Sequence, residues 1–245
     1  FNKNIVKELD GNSELIAASN WAPLVGRDDY RATVGQPVGL MYGYVSDGMY
    51  GFDDFTFDET LKRWVLNEGV ADASTVLANS GSYFGPGHLK LKKLSGDGNV
   101  ISPDEDRKVI GRAQPKHVGG VSLSSSYKGF DISALFNWSY GNDIYNANKI
   151  DNTTFSGSKR YNNLSSTMSL ENRFTTIDPT TGYNIMFGSN ANPELLQALN
   201  QDASIWHPIA NSTLVTDWAI EDGSFLRLGT LSLGYTLPES IAKGG

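Results

Sequence analysis

The stretch that decides the fold is residues 118–140, VGGVSLSSSYKGFDISALFNWSY. Val121, Leu123 and Tyr127 share one parity and Gly120, Ser122, Ser124 and Ser126 the other, the period-two pattern of a strand with unlike surroundings on its two sides. Lys128-Gly129 reads as a two-residue turn, because glycine supplies the positive φ that a tight hairpin requires. Beyond it, Phe130, Ile132, Ala134, Phe136, Trp138 and Tyr140 alternate with Asp131, Ser133, Leu135, Asn137 and Ser139. The pattern predicts a β-hairpin. Its arms of about ten residues exceed the usual strand length of roughly 5–6 and match the roughly 9–11 that cross a bilayer at a tilt.

Alternation alone does not say what lies against the apolar face. A soluble sandwich turns that face to a core and its polar face to water, whereas a barrel in lipid inverts the geometry and keeps the alternation. The ends of the hairpin are aromatic. Tyr127 and Phe130 flank the turn and Trp138 and Tyr140 sit at the far end, as aromatic girdles would at two membrane interfaces, although aromatic core residues of a sandwich give the same pattern.

The chain has 245 residues, enough for one large β domain or two smaller ones with a buried core. A formal net charge of −7 offers no basic stripe to displace counterions from phosphate, so nucleic acid is not an expected partner. There is no cysteine, which removes disulfides, thiolate catalysis and zinc–thiolate sites and suits an envelope protein without excluding a cytosolic one. No apolar run approaches the roughly 18 residues of a transmembrane helix, a fact silent about barrels. The sequence starts at Phe1 and shows no signal peptide, which leads us to expect a fragment.

Outward from the hairpin, residues 1–9 read as the end of a strand, and residues 10–30 as a loop with one brief ordered element around Leu15–Ala18. Residues 34–50 carry glycine and tyrosine at a density that favours bent strands closing at Asp47-Gly48, and residues 52–69 suggest another hairpin. Gly85-Pro86-Gly87 is a strong breaker. Residues 141–217 are rich in Asn, Ser and Thr with weak periodicity, longer than a compact soluble domain usually tolerates as loop. Within them Asn192-Pro193 caps a short helix over 194–199. A last strand over 224–237 sets Leu231, Leu233, Tyr235 and Leu237 against Thr230, Ser232, Gly234 and Thr236, and Pro238 ends it. Short connections at one end and long ones at the other are the layout of an outer-membrane barrel.

Few residues point to chemistry. From Lys93 onward the spacing imitates a calcium loop, with Ser95, Asp97, Gly98 and Asp104 at the third, fifth, sixth and twelfth positions, but an ammonium at the first position repels the ion, so no metal is expected. His88, His117 and His207 are far apart in sequence with no close partner, and read as surface or loop histidines. Pairs such as Asp53/Asp54 or Glu221/Asp222 are expected as solvated loop charges before glycosidase carboxylates. No nucleophile elbow, P-loop or dinucleotide fingerprint occurs, so neither catalysis nor a cofactor is expected. Aromatics in polar loops are the binding candidates, since a ring beside an amide can stack on a sugar; each can equally serve packing. These are Tyr42, Tyr44, Tyr50, Trp64, Tyr83, Tyr140, Tyr145, Tyr161 and Trp206, with Asn137 on the polar face of the hairpin.

Four stretches in order resemble the SusC/RagA family of TonB-dependent outer-membrane transporters of Bacteroidetes. They are Gly35-Gln36-Pro37-Val38-Gly39 with Tyr42-Gly43-Tyr44 and Asp47-Gly48, and Pro86-Gly87 with Ser95-Gly96-Asp97-Gly98, Asp106-Arg107, Ile110-Gly111 and Pro115. The third is Tyr127-Lys128-Gly129-Phe130-Asp131-Ile132-Ser133 with Gly141 and Tyr145-Asn146; the fourth is Glu221–Leu228 with Gly234-Tyr235-Thr236-Leu237-Pro238. Lys93 and Ser95 stand where the family commonly shows Asp and Asn, which weakens any inherited metal site.

The resemblance implies an all-β antiparallel fold: residues 1–245 would be part of a 22-stranded transmembrane β-barrel with long extracellular loops, toward its later strands, without the amino-terminal plug and the last strands. It implies the bacterial outer membrane and import of oligosaccharide or peptide cargo. The partners would be a SusD-like surface lipoprotein acting as a lid, TonB through the missing amino-terminal part, and the lipid bilayer. Phe130, Ile132, Phe136 and Trp138 would face lipid, Lys128-Gly129 would be a periplasmic turn, and the serines and Asn137 would line the lumen. The competing reading is a soluble all-β carbohydrate-binding or glycan-degrading domain. The two differ in whether Val121, Leu123, Ile132, Phe136, Leu231 and Leu233 close a dry core or form an outward band.

Overall fold

The structure, a computed structural model, describes residues 4–20, 28–77, 84–155, 162–208 and 214–238. Its strands are β1 (Glu14–Ala17), β2 (Tyr30–Thr33), β3 (Leu40–Tyr44), β4 (Ser46–Met49), β5 (Phe55–Asp58), β6 (Arg63–Leu66) and β7 (Leu89–Leu91). They continue as β8 (Arg107–Arg112), β9 (His117–Tyr127), β10 (Phe130–Tyr140), β11 (Asp143–Tyr145), β12 (Ile220–Asp222) and β13 (Phe225–Tyr235). Two short helices, α1 (Ala147–Asp151) and α2 (Pro193–Leu199), interrupt them. All named strand pairs are antiparallel.

β9, β10 and β13, each of 11 residues, form one sheet in the order β13-β10-β9. The β9–β10 turn holds Lys128 at φ 47° and Gly129 at φ 86°, the double positive φ of a type I′ turn, whose twist matches that of the flanking strands. Tyr127 pairs Phe130, Leu123 pairs Ala134 and Val121 pairs Phe136, so the predicted faces hold through the hairpin. On β13, Leu231 pairs Ala134 and Leu233 pairs Ile132, while Leu228 pairs Phe136 and Leu226 pairs Trp138. The parity changes because Thr230 pairs Leu135 and Gly229 is left over as a one-residue bulge. That extra residue keeps Leu226 and Leu228 on the same face as Leu231, Leu233 and Tyr235.

No core covers this face. Exposure runs from 43% at Val121 through 47% at Ile132 and 55% at Leu231 to 73% at Leu233, values that rule out a closed dry core and leave an outward apolar band. Eleven residues at about 3.3 Å each span about 36 Å, and a barrel tilt near 40° projects that to about 25–30 Å, the height of a lipid-facing band. Rings gather at both ends. Phe130 and Tyr235 lie 4.4 Å apart near the turn; at the other end His117 and Tyr140 lie 5.1 Å apart and Trp138 Nε1 donates to His117 Nδ1 at 3.1 Å. The sheet is open at β9 and β13, so the described residues form wall without closing a barrel.

Beyond the aromatic end the chain folds into a body with a core of its own. β11 and β12 prolong the β10–β13 pair, and Arg112 N–H donates to Asp143 Oδ2 at 2.7 Å, tying β8 to β11. A four-stranded sheet, β1-β2-β3-β8, the long-range pair β4–β7 and the hairpin β5–β6 complete the framework. The main core gathers Tyr44, Tyr50, Phe55, Leu89, Leu91 and Trp206 with residues from most of the other segments. A second cluster joins Phe174, Ile185, Met186 and Leu196, the last from α2, and a third joins Ile150 from α1 to Val215 and Ala219. Asn192 accepts from Leu195 N–H at 3.0 Å ahead of Pro193, which is why α2 starts where the sequence places it.

Several expectations need correction. Residues 4–9 form no strand, and residues 1–3 lie outside the described ones. Asp47-Gly48 does not close a strand: both sit inside β4, whose irregular register against β7 absorbs the glycine. The polar stretch 141–217 carries the expected helix as α2 and, beyond that expectation, β11, α1 and buried residues such as Ile150, Met168, Phe174 and Trp206 in its described parts.

Candidate functional site

The body stands at the end of the wall opposite the Lys128-Gly129 turn, where a barrel presents its long loops. Its centre is Tyr50, fully buried, packed edge-on to Phe55 at 5.5 Å and Phe84 at 5.1 Å. The phenol donates to Ala71 O and accepts from Ala73 N–H at 3.1 Å, so a polar atom in the core is satisfied in both roles. Burial, with Asp72, Asp54 and Asp47 nearby, raises its pKa far above the ordinary tyrosine value.

Gly85-Pro86-Gly87 passes beside this centre as a structural wedge. Gly87 N–H donates to Tyr50 O at 2.9 Å and Gly87 O accepts from His207 N–H at 3.0 Å. A Cβ at Gly87 would sit 2.3 Å from the Phe174 ring, and φ is +81°, so only glycine fits. The wedge brings His88 and His207 together, both buried, with ring centroids 4.7 Å apart and edge to face. His88 Nδ1 lies 2.9 Å from Gly85 O. Burial pushes His88 down to about 4 and His207 well below its ordinary value, His88 adding to the latter, so both rings are neutral at neutral pH. His88 and His207 are loop histidines as expected but not surface ones, and His117 lies in β9; the chain between His88 and His207, 118 residues, returns to one wedge, and no local signal announces the pairing.

The candidate residues divide by exposure. Tyr42, Tyr44 and Trp206 are buried. Tyr42 lies between the guanidinium groups of Arg31 and Arg107, at 5.0 and 4.9 Å from its centroid, and Trp206 packs edge-on to Trp218 at 4.8 Å. Trp64 is half-buried against Phe52 and Phe57, at 5.6 and 5.3 Å. Among the described residues, the buried indole nitrogens of Trp64 and Trp206 have no hydrogen-bond partner. Tyr145 is half-buried in β11 beside the third cluster. Tyr140 and Asn137 are exposed; Asn137 spreads across the polar face, its amide reaching over Gly120 and Gly229. Tyr83 and Tyr161 lie outside the described residues. Among the described residues, these positions therefore form no single aromatic platform.

The calcium-like loop contains its own cation. Lys93 Nζ lies 2.9 Å from the fully buried Asp106 and 3.6 Å from Glu105. Asp106 also accepts from the N–H groups of Leu94 at 2.7 Å and Ser102 at 2.8 Å. Burial alone would raise the carboxyl, but the Ser102 and Leu94 N–H groups and the Lys93 ammonium outweigh it and hold it below the ordinary value. Ser95 turns its hydroxyl to Glu105 O at 2.7 Å, while Asp97 and Asp104 are exposed. No group of three His, Asp or Glu side chains able to hold a metal occurs among the described residues.

Comparison with known proteins agrees with this architecture. No protein-family model matches the sequence. The chain is 27% identical over 243 residues to TonB-dependent receptor P3 of Formosa agariphila, covering 98% of this chain and 19% of that protein. It is 28% identical over 138 residues to TonB-dependent receptor P39 of the same organism, covering 47% of this chain and 12% of that one. Among solved structures, the RagAB peptide importer in its closed-closed state superposes with a TM-score of 0.55 at 18% identity, over 99% of this chain and 20% of that chain. The RagAB peptide transporter gives 0.53 at 17%, with the same coverage. The chain thus spans about a fifth of the length of the first of these relatives. An outward apolar band on long antiparallel strands, with a loop body at one end, accompanies likeness along nearly the whole chain to a TonB-dependent receptor in sequence and to part of the RagAB importer in fold.

Proposed function

We propose that these residues supply wall strands and part of the extracellular mouth of an importer that takes up oligosaccharides or peptides. The observation that carries this is the apolar band on β9, β10 and β13, uncovered on one side and continuous with a cored body at one end. The likeness to TonB-dependent receptors supports energy supply through TonB, and the likeness to RagAB supports a SusD-like lipoprotein lid over the mouth. Transport on this reading is no covalent chemistry. Cargo binds lumen and loop groups that differ between open and closed states, and the lid changes which state is populated. The body's own core gives that lid a stiff seat. Asn137 and the serines of β9 and β10 face the lumen, and the exposed Tyr140 stands where wall meets mouth.

The test is purification of the full-length protein from its native membrane, with mass spectrometry of what accompanies it. A surface lipoprotein and a bound oligomeric cargo are expected, together with uptake that stops when TonB is deleted. Recovery of the full-length protein as a monodisperse soluble species without detergent would sink the reading.

A further inference from the structure

The face of the four-stranded sheet that carries Tyr42 is cationic in a chain of net charge −7. Arg31 pairs with Leu40, which pairs on its other side with Arg112, and Tyr44 pairs with Arg107. A register shift between Met41 and Tyr42 keeps Arg107, Val109 and Arg112 on the side of Leu40, Tyr42 and Tyr44. Arg31 and Arg107, both half-buried, stack on the buried Tyr42 ring, and Arg107 Nε donates to Pro103 O at 2.6 Å, which fixes that guanidinium with its terminal nitrogens left for a ligand. Nearby carboxylates are already engaged: Glu14 with Arg31, Asp29 with Ser19, and Asp143 with the Arg112 N–H. Among the described residues, Arg107 and Arg112 have no ion-pair partner, and the buried Nε of Arg31 has no acceptor. Val109, between Arg107 and Arg112, is 42% exposed and both arginines are half-buried, so the β8 edge of this face reaches solvent while Leu40, Tyr42 and Tyr44 beside it are buried.

We infer that Arg107 and Arg112, backed by Arg31 and Tyr42, form a binding site for an oligosaccharide bearing more than one carboxylate or sulfate. The inference rests on the importer reading and gives its cargo a chemical class. Arg107 and Arg112 stand four β3 residues apart, about 13 Å, on a rigid sheet. Fixed spacing suits a stiff pyranose chain whose charges recur at set intervals better than a flexible peptide, which must first be ordered. Guanidinium groups take carboxylate or sulfate in paired hydrogen bonds.

The test uses the full-length protein in detergent with trigalacturonate, a sulfated galactose trimer, triglutamate and neutral maltotriose, measured by calorimetry. An anionic sugar should bind about tenfold or more tighter than maltotriose and weaken as salt rises from about 50 to about 200 mM. The preferred sugar tells carboxylate from sulfate. Arg107→Gln with Arg112→Gln should abolish the preference, and Arg107→Lys with Arg112→Lys should restore part of it. The inference is overturned if neither anionic sugar outbinds maltotriose, if the glutamine variant keeps the preference, or if only triglutamate binds. TonB-dependent uptake of a neutral cargo with no anion preference would leave the importer standing and remove this site alone; anion binding without TonB-dependent uptake would do the reverse.

Discussion

The wall sheet and the loop body use apolar residues in opposite ways. In the wall, hydrophobic side chains lie next to one another along a strand face and stay uncovered, so stability depends on the solvent the band meets. In the body, single residues from distant segments, such as Tyr50, Leu89, Met168 and Trp206, meet in a closed core that needs no lipid. One region is made by periodicity and the other by convergence. A substitution should therefore reveal which region it is in by whether its cost depends on the membrane.

The largest effect is expected at the centre of the body. Tyr50→Ala removes a fully buried ring and two hydrogen bonds, and should cost about 3–5 kcal/mol, read as faster amide exchange across β4, β5 and β7 with the wall strands unchanged. Equal loosening of β9 and β10 would erase the division. In the wall, Ala134→Arg places a charge near the middle of the band and should cost about 2–4 kcal/mol in denaturant titrations of the full-length protein in lipid. Ser133→Arg, one residue earlier and facing the lumen, should cost far less; equal costs would erase the difference between the faces and the opposite order would reverse it.

Acid should loosen the body through its buried histidines. His88 is held at about 4 when folded against about 6.5 when unfolded, so between those values the unfolded chain takes up a proton that the folded one refuses. Stability is fully present above about pH 6.5 and falls as pH drops through that window, by about 2 kcal/mol at pH 5 from His88, with His207 acting in the same direction. Hydrogen exchange at the Gly85–His88 wedge should rise over this range, and His88→Gln should flatten the response. Smallest is Asn192→Ala, which removes the α2 cap and should cost about 1 kcal/mol, visible as local fraying of residues 193–199.

The same division explains what the sequence discloses. The hairpin at 118–140, its turn and the final strand were legible because alternation is local: each residue's side follows from its neighbour's. α2 was legible for the same reason, through Asn192 and Pro193. The body was not, because its core residues carry no common period, and a pairing such as His88 with His207 is a property of the folded chain. Tyr42 and Trp206, open in sequence to binding or to packing, lie under other side chains in space, which their sequence neighbours do not announce. The resemblance to a family reached the architecture, while the arginines around Tyr42 emerged only once β2, β3 and β8 were set side by side.

The leftover glycine in β13 has a consequence for how such a strand can vary. Its hydrophobic residues are written in two reading frames, 226 and 228 before Gly229 and 231, 233 and 235 after it, and the bulge splices the frames into one surface. A strand with such a splice can absorb a one-residue difference in length at that point without exchanging its lipid and lumen sides. Insertions and deletions, which scramble an unbroken alternation, become tolerable at one marked place.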